Sequence, residues 1–169
     1  MIIRQEEPND YCEVYELIKE AFSTTEYTDG NEQNLAAALR KGTAFIPELS
    51  LVAEMNGELV GHIMFTTAVV GGDEILALAP LSVKPRYQHQ GVGTALIKEG
   101  HKIARQLGYE YSLVLGSETY YPRTGYRPAV QFGIEVPEGF PPENFMAVKL
   151  QEAAKPISGV VIYAKEFGL

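Results

Sequence analysis

Between Leu78 and Leu96 the chain reads L-A-P-L-S-V-K-P-R-Y-Q-H-Q-G-V-G-T-A-L, and no other stretch constrains the fold as much. An apolar strand runs into a turn carrying two cations, Lys84 and Arg86, and the turn opens a helix through Gln88-x-x-Gly91-x-Gly93. That order gathers free backbone N–H groups, the positive end of a helix dipole and two positions without side chains at one point. It predicts a site for a phosphate-bearing ligand, with the N–H groups of Gln88, His89, Gln90, Gly91, Val92, Gly93 and Thr94 directed at a pyrophosphate. Taken alone, the same residues also suit a glycine-containing helix cap with solvated charges beside it. A dinucleotide fingerprint does not fit them. Position 96, where a third glycine belongs, is Leu, and no acidic residue closes the following strand, because Leu113-Val114-Leu115 gives way to Gly116-Ser117.

The strand before the loop carries a second signal. Pro80 has no N–H and cannot complete a ladder in a sheet interior, so the strand is expected to bulge or splay there. The backbone of Leu81, Ser82 and Val83 then becomes available to an extended, amide-bearing ligand acting as a surrogate strand; an edge strand facing water is the plainer alternative. A third signal is Tyr120-Tyr121-Pro122-Arg123-Thr124-Gly125-Tyr126, in which Pro122 suits the first turn of a short helix and Gly125 its stop. A tyrosine hydroxyl of this run could point back to the opening, or the aromatic pair could serve packing alone.

Around these signals the chain reads as alternating elements. Ile2-Ile3-Arg4 is a short strand, Pro8 a first helical position, and Tyr11, Val14, Tyr15, Ile18 and Phe22 recur at helical spacing. Ser23 to Asn31 is polar and turn-rich, a short helix follows through Leu35, Ala38 and Leu39, and Pro47 ends the connection to the next strand. Leu49–Glu54 and Leu59–Val70 flank Asn56-Gly57, a strong hairpin signal. Gly71-Gly72-Asp73 makes the next turn, and Glu74–Val83 returns antiparallel. A helix from Val92 to Leu107, with Val92, Leu96, Ile103 and Leu107 on its apolar stripe, stops at Gly108. Tyr111–Leu115 should then lie parallel to the strand ending at Val83. Further strands are expected near Phe145–Leu150 and Ser158–Tyr163, with Pro137–Pro142 as a loop before them. The expectation is one α+β domain over residues 1–169, a mostly antiparallel sheet flanked by helices with a parallel β–α–β unit at its centre.

Charge and composition narrow the partners. With 22 acidic and 14 basic residues the net charge is −8, and no basic stripe with interleaved aromatics is present, so a nucleic-acid partner is not expected. No apolar run reaches the roughly 18 residues of a membrane span, and the N-terminal residues do not read as a signal peptide. The one cysteine, Cys12, reads as a small buried or half-buried helix residue, and its isolation fits a reducing cytoplasm. His62, His89 and His101 show no metal-ligand spacing, so no metal is expected.

With the three signals in this order, the chain resembles the GNAT superfamily of acetyl-coenzyme A-dependent N-acetyltransferases, closest to its YhbS-like branch. Nearly the whole chain is covered: a hairpin like Leu49-Ser-Leu-Val-Ala-Glu…Gly61-His-Ile, the Gln88-x-x-Gly91-x-Gly93 loop, and a run like Val114-Leu-Gly…Tyr120-Tyr…Gly125-Tyr-Arg-Pro-Ala. The resemblance implies a GNAT-like fold with splayed central strands and acetyl-CoA as cosubstrate. Leu81, Ser82 and Val83 would hold pantetheine, and Gln88 to Thr94 the pyrophosphate. Tyr121, four residues before Gly125, falls where many members keep the tyrosine that assists the leaving thiolate. The acceptor would be a primary amine of a small molecule, peptide or protein, shaped by Ser23–Gly30 and Pro137–Pro142, and the enzyme a monomer or homodimer. A non-catalytic acyl-CoA-binding or sensing domain is the alternative. Where many members carry an asparagine after the fifth strand this chain has Gly116-Ser117-Glu118, and no acidic residue stands between Ile75 and Val83 as a general base. Glu26, Glu54 and His62 are the candidates left for that role.

Overall fold

The computed structural model describes residues 1–26 and 28–169. In chain order the main elements are β1 (Ile2–Gln5), α1 (Tyr11–Phe22), α2 (Glu32–Arg40), β2 (Phe45–Met55), β3 (Glu58–Val70), β4 (Asp73–Val83), α3 (Val92–Gln106), β5 (Tyr111–Leu115), β6 (Arg127–Pro128), β7 (Ile134–Glu135), β8 (Phe145–Lys149) and β9 (Gly159–Ile162). They build a mixed, mostly antiparallel sheet in the order β1-β2-β3-β4-β5-β8-β6, with β9 beside the far end of β3 and β7 beside β9. The β4–β5 pair is parallel, bridged by α3, and β7–β9 is a second parallel contact.

Asn56 and Gly57 both take positive φ, 52° and 80°, which the two-residue turn between β2 and β3 requires. The first helix begins later than its proline. Pro8–Asp10 forms a 3₁₀ turn, and the α-helix starts at Tyr11 with Val14, Leu17, Ile18 and Ala21 buried. Strand β2 begins at Phe45, ahead of the expected Leu49, and contains Pro47. It can do so because β1 covers only Leu51 to Glu54, and the pairing with β3 shifts register between Phe45 and Ser50. Leu107 is 44% exposed just past the end of α3, so the buried stripe of that helix runs instead through Val92, Leu96, Ile97, Gly100, His101 and Ala104. Cys12 is exposed on α1, against the expectation of burial.

The sheet separates two apolar layers. On one face α3 packs on Ile63, Phe65, Leu76 and Leu78. On the other, α1 and α2 cover Val52, Leu59 and Met64, while Ala77, Leu113 and Phe145 sit in a further cluster.

Candidate functional site

Strand β4 holds a bulge where Pro80 lies. Phe65 pairs with Leu78 and Ile63 with Leu81, so two residues of β3 span three of β4. Because side chains alternate along a strand, the extra residue inverts the parity of everything after it. Leu76 and Leu78 face α3 before the bulge, and Leu81 and Val83 face it afterwards. Without the bulge Leu81 would share the face of Ala77.

Beyond the bulge β4 also leaves its parallel neighbour. The two strands pair only at Leu76–Ser112 and Ala77–Leu113, so the β5 side of Leu81 to Val83 is open. The Val83 carbonyl accepts a hydrogen bond from Gln88 Nε2 at 3.0 Å, so the backbone polar groups of Val83 turn away from β3. Those of Leu81, two residues earlier, turn the same way. Ser82 does the opposite: its backbone faces His62 of β3, and its buried hydroxyl has no partner among the described residues.

At the end of this opening stands the N-terminus of α3. Gly91 caps the helix with φ 88°, a conformation that favours glycine. Gly93 answers a different demand. It lies inside the helix, but a Cβ there would sit 2.4 Å from the Tyr120 hydroxyl. No backbone carbonyl accepts from the N–H groups of His89, Gln90 or Gly91 among the described residues, whereas that of Gln88 is used by Pro85. Together with the first turn of α3 these groups make a cluster of N–H donors at the positive end of a helix dipole, an arrangement suited to an anion.

The resulting cleft has a volume of about 540 Å³, within the ordinary range for ligand sites. Eight of the residues named from sequence line it: Leu81, Val83, Gln88, His89, Gly91, Val92, Gly93 and Thr94. Ser82 and Gln90 lie outside the lining; the Gln90 side chain donates back to the Arg86 carbonyl at 3.0 Å. Lys84 and Arg86 are not free cations either. Glu58 of the neighbouring hairpin takes hydrogen bonds from Lys84 Nζ (3.0 Å), from Arg86 and from the Tyr87 hydroxyl (2.9 Å), and these hold its carboxyl down at about 2. The cation that does line the cleft is Arg123, together with Ser117 and Thr119. The sequence signal for Arg123 was the tyrosine run itself, in which it follows the proline of the short turn Tyr121–Thr124, whereas Ser117 and Thr119 stand just before that run.

The two tyrosines divide. Tyr120 lines the cleft, with its hydroxyl 3.4 Å from Thr94 Oγ1. Tyr121 stands behind it, half-buried, edge-on to Tyr120 and Tyr126 at ring separations of 5.2 and 5.7 Å. Burial pushes its phenol well above the ordinary range. A Cβ at Gly116 would lie 2.5 Å from the Tyr121 ring, which gives a steric reason for glycine directly after β5. Asn144 secures that corner by donating to the Gly116 carbonyl at 2.9 Å and to Glu118 at 2.7 Å.

None of the three candidate bases lines the cleft. Glu26 is exposed beyond α1. Glu54 lies across from β1, 3.8 Å from Arg4. His62 is fully buried, with Nε2 3.2 Å from Ser50 Oγ and 3.3 Å from Glu6, while Nδ1 has no partner among the described residues. Burial works to raise the Glu6 carboxyl, but hydrogen bonds from His62 and Arg40 overcome it and bring it to about 2. A separate depression of about 470 Å³ between α1 and α2, lined by Tyr11, Cys12, Tyr15 and Arg40, contains no residue of the loop.

Comparison with known proteins agrees with this geometry. Residues 11–126 match the acetyltransferase (GNAT) family. The uncharacterized N-acetyltransferase YjhQ of Escherichia coli K12 is 39% identical over 133 residues, covering 75% of this chain and 74% of its own. The uncharacterized N-acetyltransferase YhbS of the same organism is 28% identical over 171 residues, covering 99% and 98%. Among solved structures, a GNAT family acetyltransferase from Brucella melitensis in complex with acetyl-CoA superposes with a TM-score of 0.82 at 32% identity, covering 98% of this chain and 97% of its own. YhbS from E. coli in complex with CoA superposes at 0.88 with 26% identity, covering 99% and 92%.

Proposed function

The chain belongs to the acetyltransferase (GNAT) family and is an N-acetyltransferase, and we propose that residues 1–169 act as one catalytic domain moving the acetyl group of acetyl-CoA directly onto a primary amine. The observation that carries this reading is the opening between β4 and β5, which ends at a helix N-terminus where the N–H groups of His89, Gln90 and Gly91 have no backbone acceptor among the described residues. The complexes of the Brucella and E. coli relatives with acetyl-CoA and CoA support the choice of cosubstrate.

In this reading the pyrophosphate rests on the loop from His89 to Thr94, and Arg123 adds positive charge inside the cleft, which Lys84 and Arg86 do not line. Pantetheine runs along Leu81 and Val83, whose outward-turned backbone groups pair with its amides. The neutral amine nitrogen attacks the thioester carbonyl carbon, the carbon–sulfur bond breaks to release CoA as its thiolate, and the proton lost by the nitrogen passes to water. Alignment of the two reactants supplies much of the rate. A backbone N–H of Leu81 or Val83 stabilises the oxyanion. Tyr121 does not line the cleft itself, but its ring packs against Gly116 at the open end of β5. From there it is assigned the hydrogen bond to the departing thiolate; its raised pKa suits it to donate a hydrogen bond rather than a proton.

Acetyl-CoA at about 100 times its Kd adds about 2.7 kcal/mol of stability, which raises Tm by roughly 5–10 °C in a domain of this size. Thermal shift measures that, and thiol release in the presence of amines measures turnover. An unshifted melting curve at millimolar acetyl-CoA rejects the cofactor assignment. A shift without thiol release from any amine rejects the transfer.

A further inference from the structure

Directly along the same strand pair from the cofactor cleft lies a second cavity, of about 180 Å³. Its floor is formed by residues 77–79 of β4 and 113–115 of β5, where the two strands part, and its walls are Phe140, Tyr163, Phe167 and Leu169. The cleft begins at Leu81 on one strand and, past the end of the other, at Ser117, so a thioester held at Leu81 lies at the junction of the two spaces. We infer that this cavity seats the acceptor, and that the acceptor is a primary amine on a short apolar stem, aryl or branched alkyl, rather than a polyamine or a lysine-like cation. The inference rests on the acetyl-transfer reading above.

Three observations carry it. The side chains that line the cavity include no carboxylate and no basic group, in a protein whose net charge is −8, so no side chain in it would hold a second ammonium. Its walls are held in place by aromatic contacts. Phe140 stands edge-on to the fully buried Phe145 with ring centroids 5.7 Å apart, Tyr163 lies 6.5 Å from Phe140, and Phe167 lies 5.4 Å from Tyr163. The space therefore needs no rearrangement to exist. Its size is also telling: an apolar cavity of about 150 Å³ takes up benzene, so one phenyl or isobutyl group fits here and a long chain does not. With the stem seated, the nitrogen sits at the mouth, toward Leu81.

Of the two segments expected to shape the acceptor, Pro137–Pro142 contributes Phe140. Asp29 of the other lines a neighbouring depression with Glu32 and Glu166, which meets the apolar cavity at Phe167. Residue 27 of that segment lies outside the described residues. A polyamine drawn to those carboxylates is the rival outcome.

The test measures thiol release from acetyl-CoA with 2-phenylethylamine and isoamylamine against putrescine and spermidine, in the wild type and in Phe140→Ala. Fluorine NMR of 4-fluorophenylethylamine with CoA-loaded protein reads binding without turnover. The expected result is kcat/KM at least tenfold higher for the apolar amines. Phe140→Ala should lower it at least fivefold, with acetyl-CoA affinity by calorimetry unchanged. Polyamines used as well or better, a fluorine signal indifferent to the protein, or a Phe140→Ala variant that keeps its preference each overturn the inference. Loss of acetyl-CoA binding in the wild type would instead overturn the transfer reading, and calorimetry sees that separately.

Discussion

Tyr120 and Tyr121 are chemically the same side chain one position apart, and the fold gives them different surroundings. Tyr120 reaches the cleft because Gly93 leaves room for its hydroxyl, and Tyr121 lies against Gly116 because that position also lacks a Cβ. Tyr121→Phe is expected to lower turnover at least tenfold with acetyl-CoA affinity little changed. Tyr120→Phe is expected to weaken acetyl-CoA binding a few-fold and leave kcat largely intact. Steady-state kinetics with calorimetric affinities read both, and the reverse pattern would move the thiolate contact to Tyr120. The spacing before Gly125 was legible as residue types, but which ring faces the ligand was not. That choice depends on glycines 27 residues upstream and five residues upstream, brought together only by folding.

Helix α3 is legible almost to the residue, since Gly91 and Gly108, at φ of 88° each, punctuate an amphipathic run at both ends. Its seating on the sheet is not legible. Gly100 reads as a weak point in a helix, yet a Cβ there would sit 2.3 Å from Phe65 Cε2, so the helix approaches β3 through that gap. Gly100→Ala gains about 1 kcal/mol of helix propensity but overpacks a tight contact. The expected net loss is about 1–3 kcal/mol in urea denaturation. Adding Phe65→Leu should return part of that loss; no recovery in the double variant would mean that the contact is not its source. The bulge in β4 was legible from Pro80, because a residue without an N–H cannot complete the ladder. Its consequence, the inverted parity that turns Leu81 and Val83 toward α3, needed the register of the neighbouring strand.

Across the molecule, buried titratable groups tie stability to pH. Burial, with a smaller push from Arg105, lowers the His101 imidazole to about 4, and it sits 3.1 Å from the Tyr126 hydroxyl between α3 and the sheet. Unfolding returns it to about 6.5, so the unfolded state takes up this proton first. Its contribution is therefore whole above pH 6.5 and is lost as pH falls toward 4, about 3 kcal/mol in all. Glu6, held at about 2, acts lower: its contribution is present above about 4.5 and is lost as pH falls through 2. Urea titrations between pH 7 and 4.5 should show the first loss, and His101→Gln should flatten it; an equal slope in the variant would place the proton uptake elsewhere. What the chain determined by itself was local: the turns, the caps, the strand that must break at Pro80 and the glycine loop that opens a helix, all set by dihedral preference and missing donors. What folding alone decided was which charges are spent and which spaces stay empty. Glu58 pairs with Lys84 and Arg86 from another hairpin, Arg123 lines the cleft instead, and an apolar cavity opens where β4 and β5 part. Charge pairing and void volume depend on distances between segments far apart in the chain, and local preference carries no record of those.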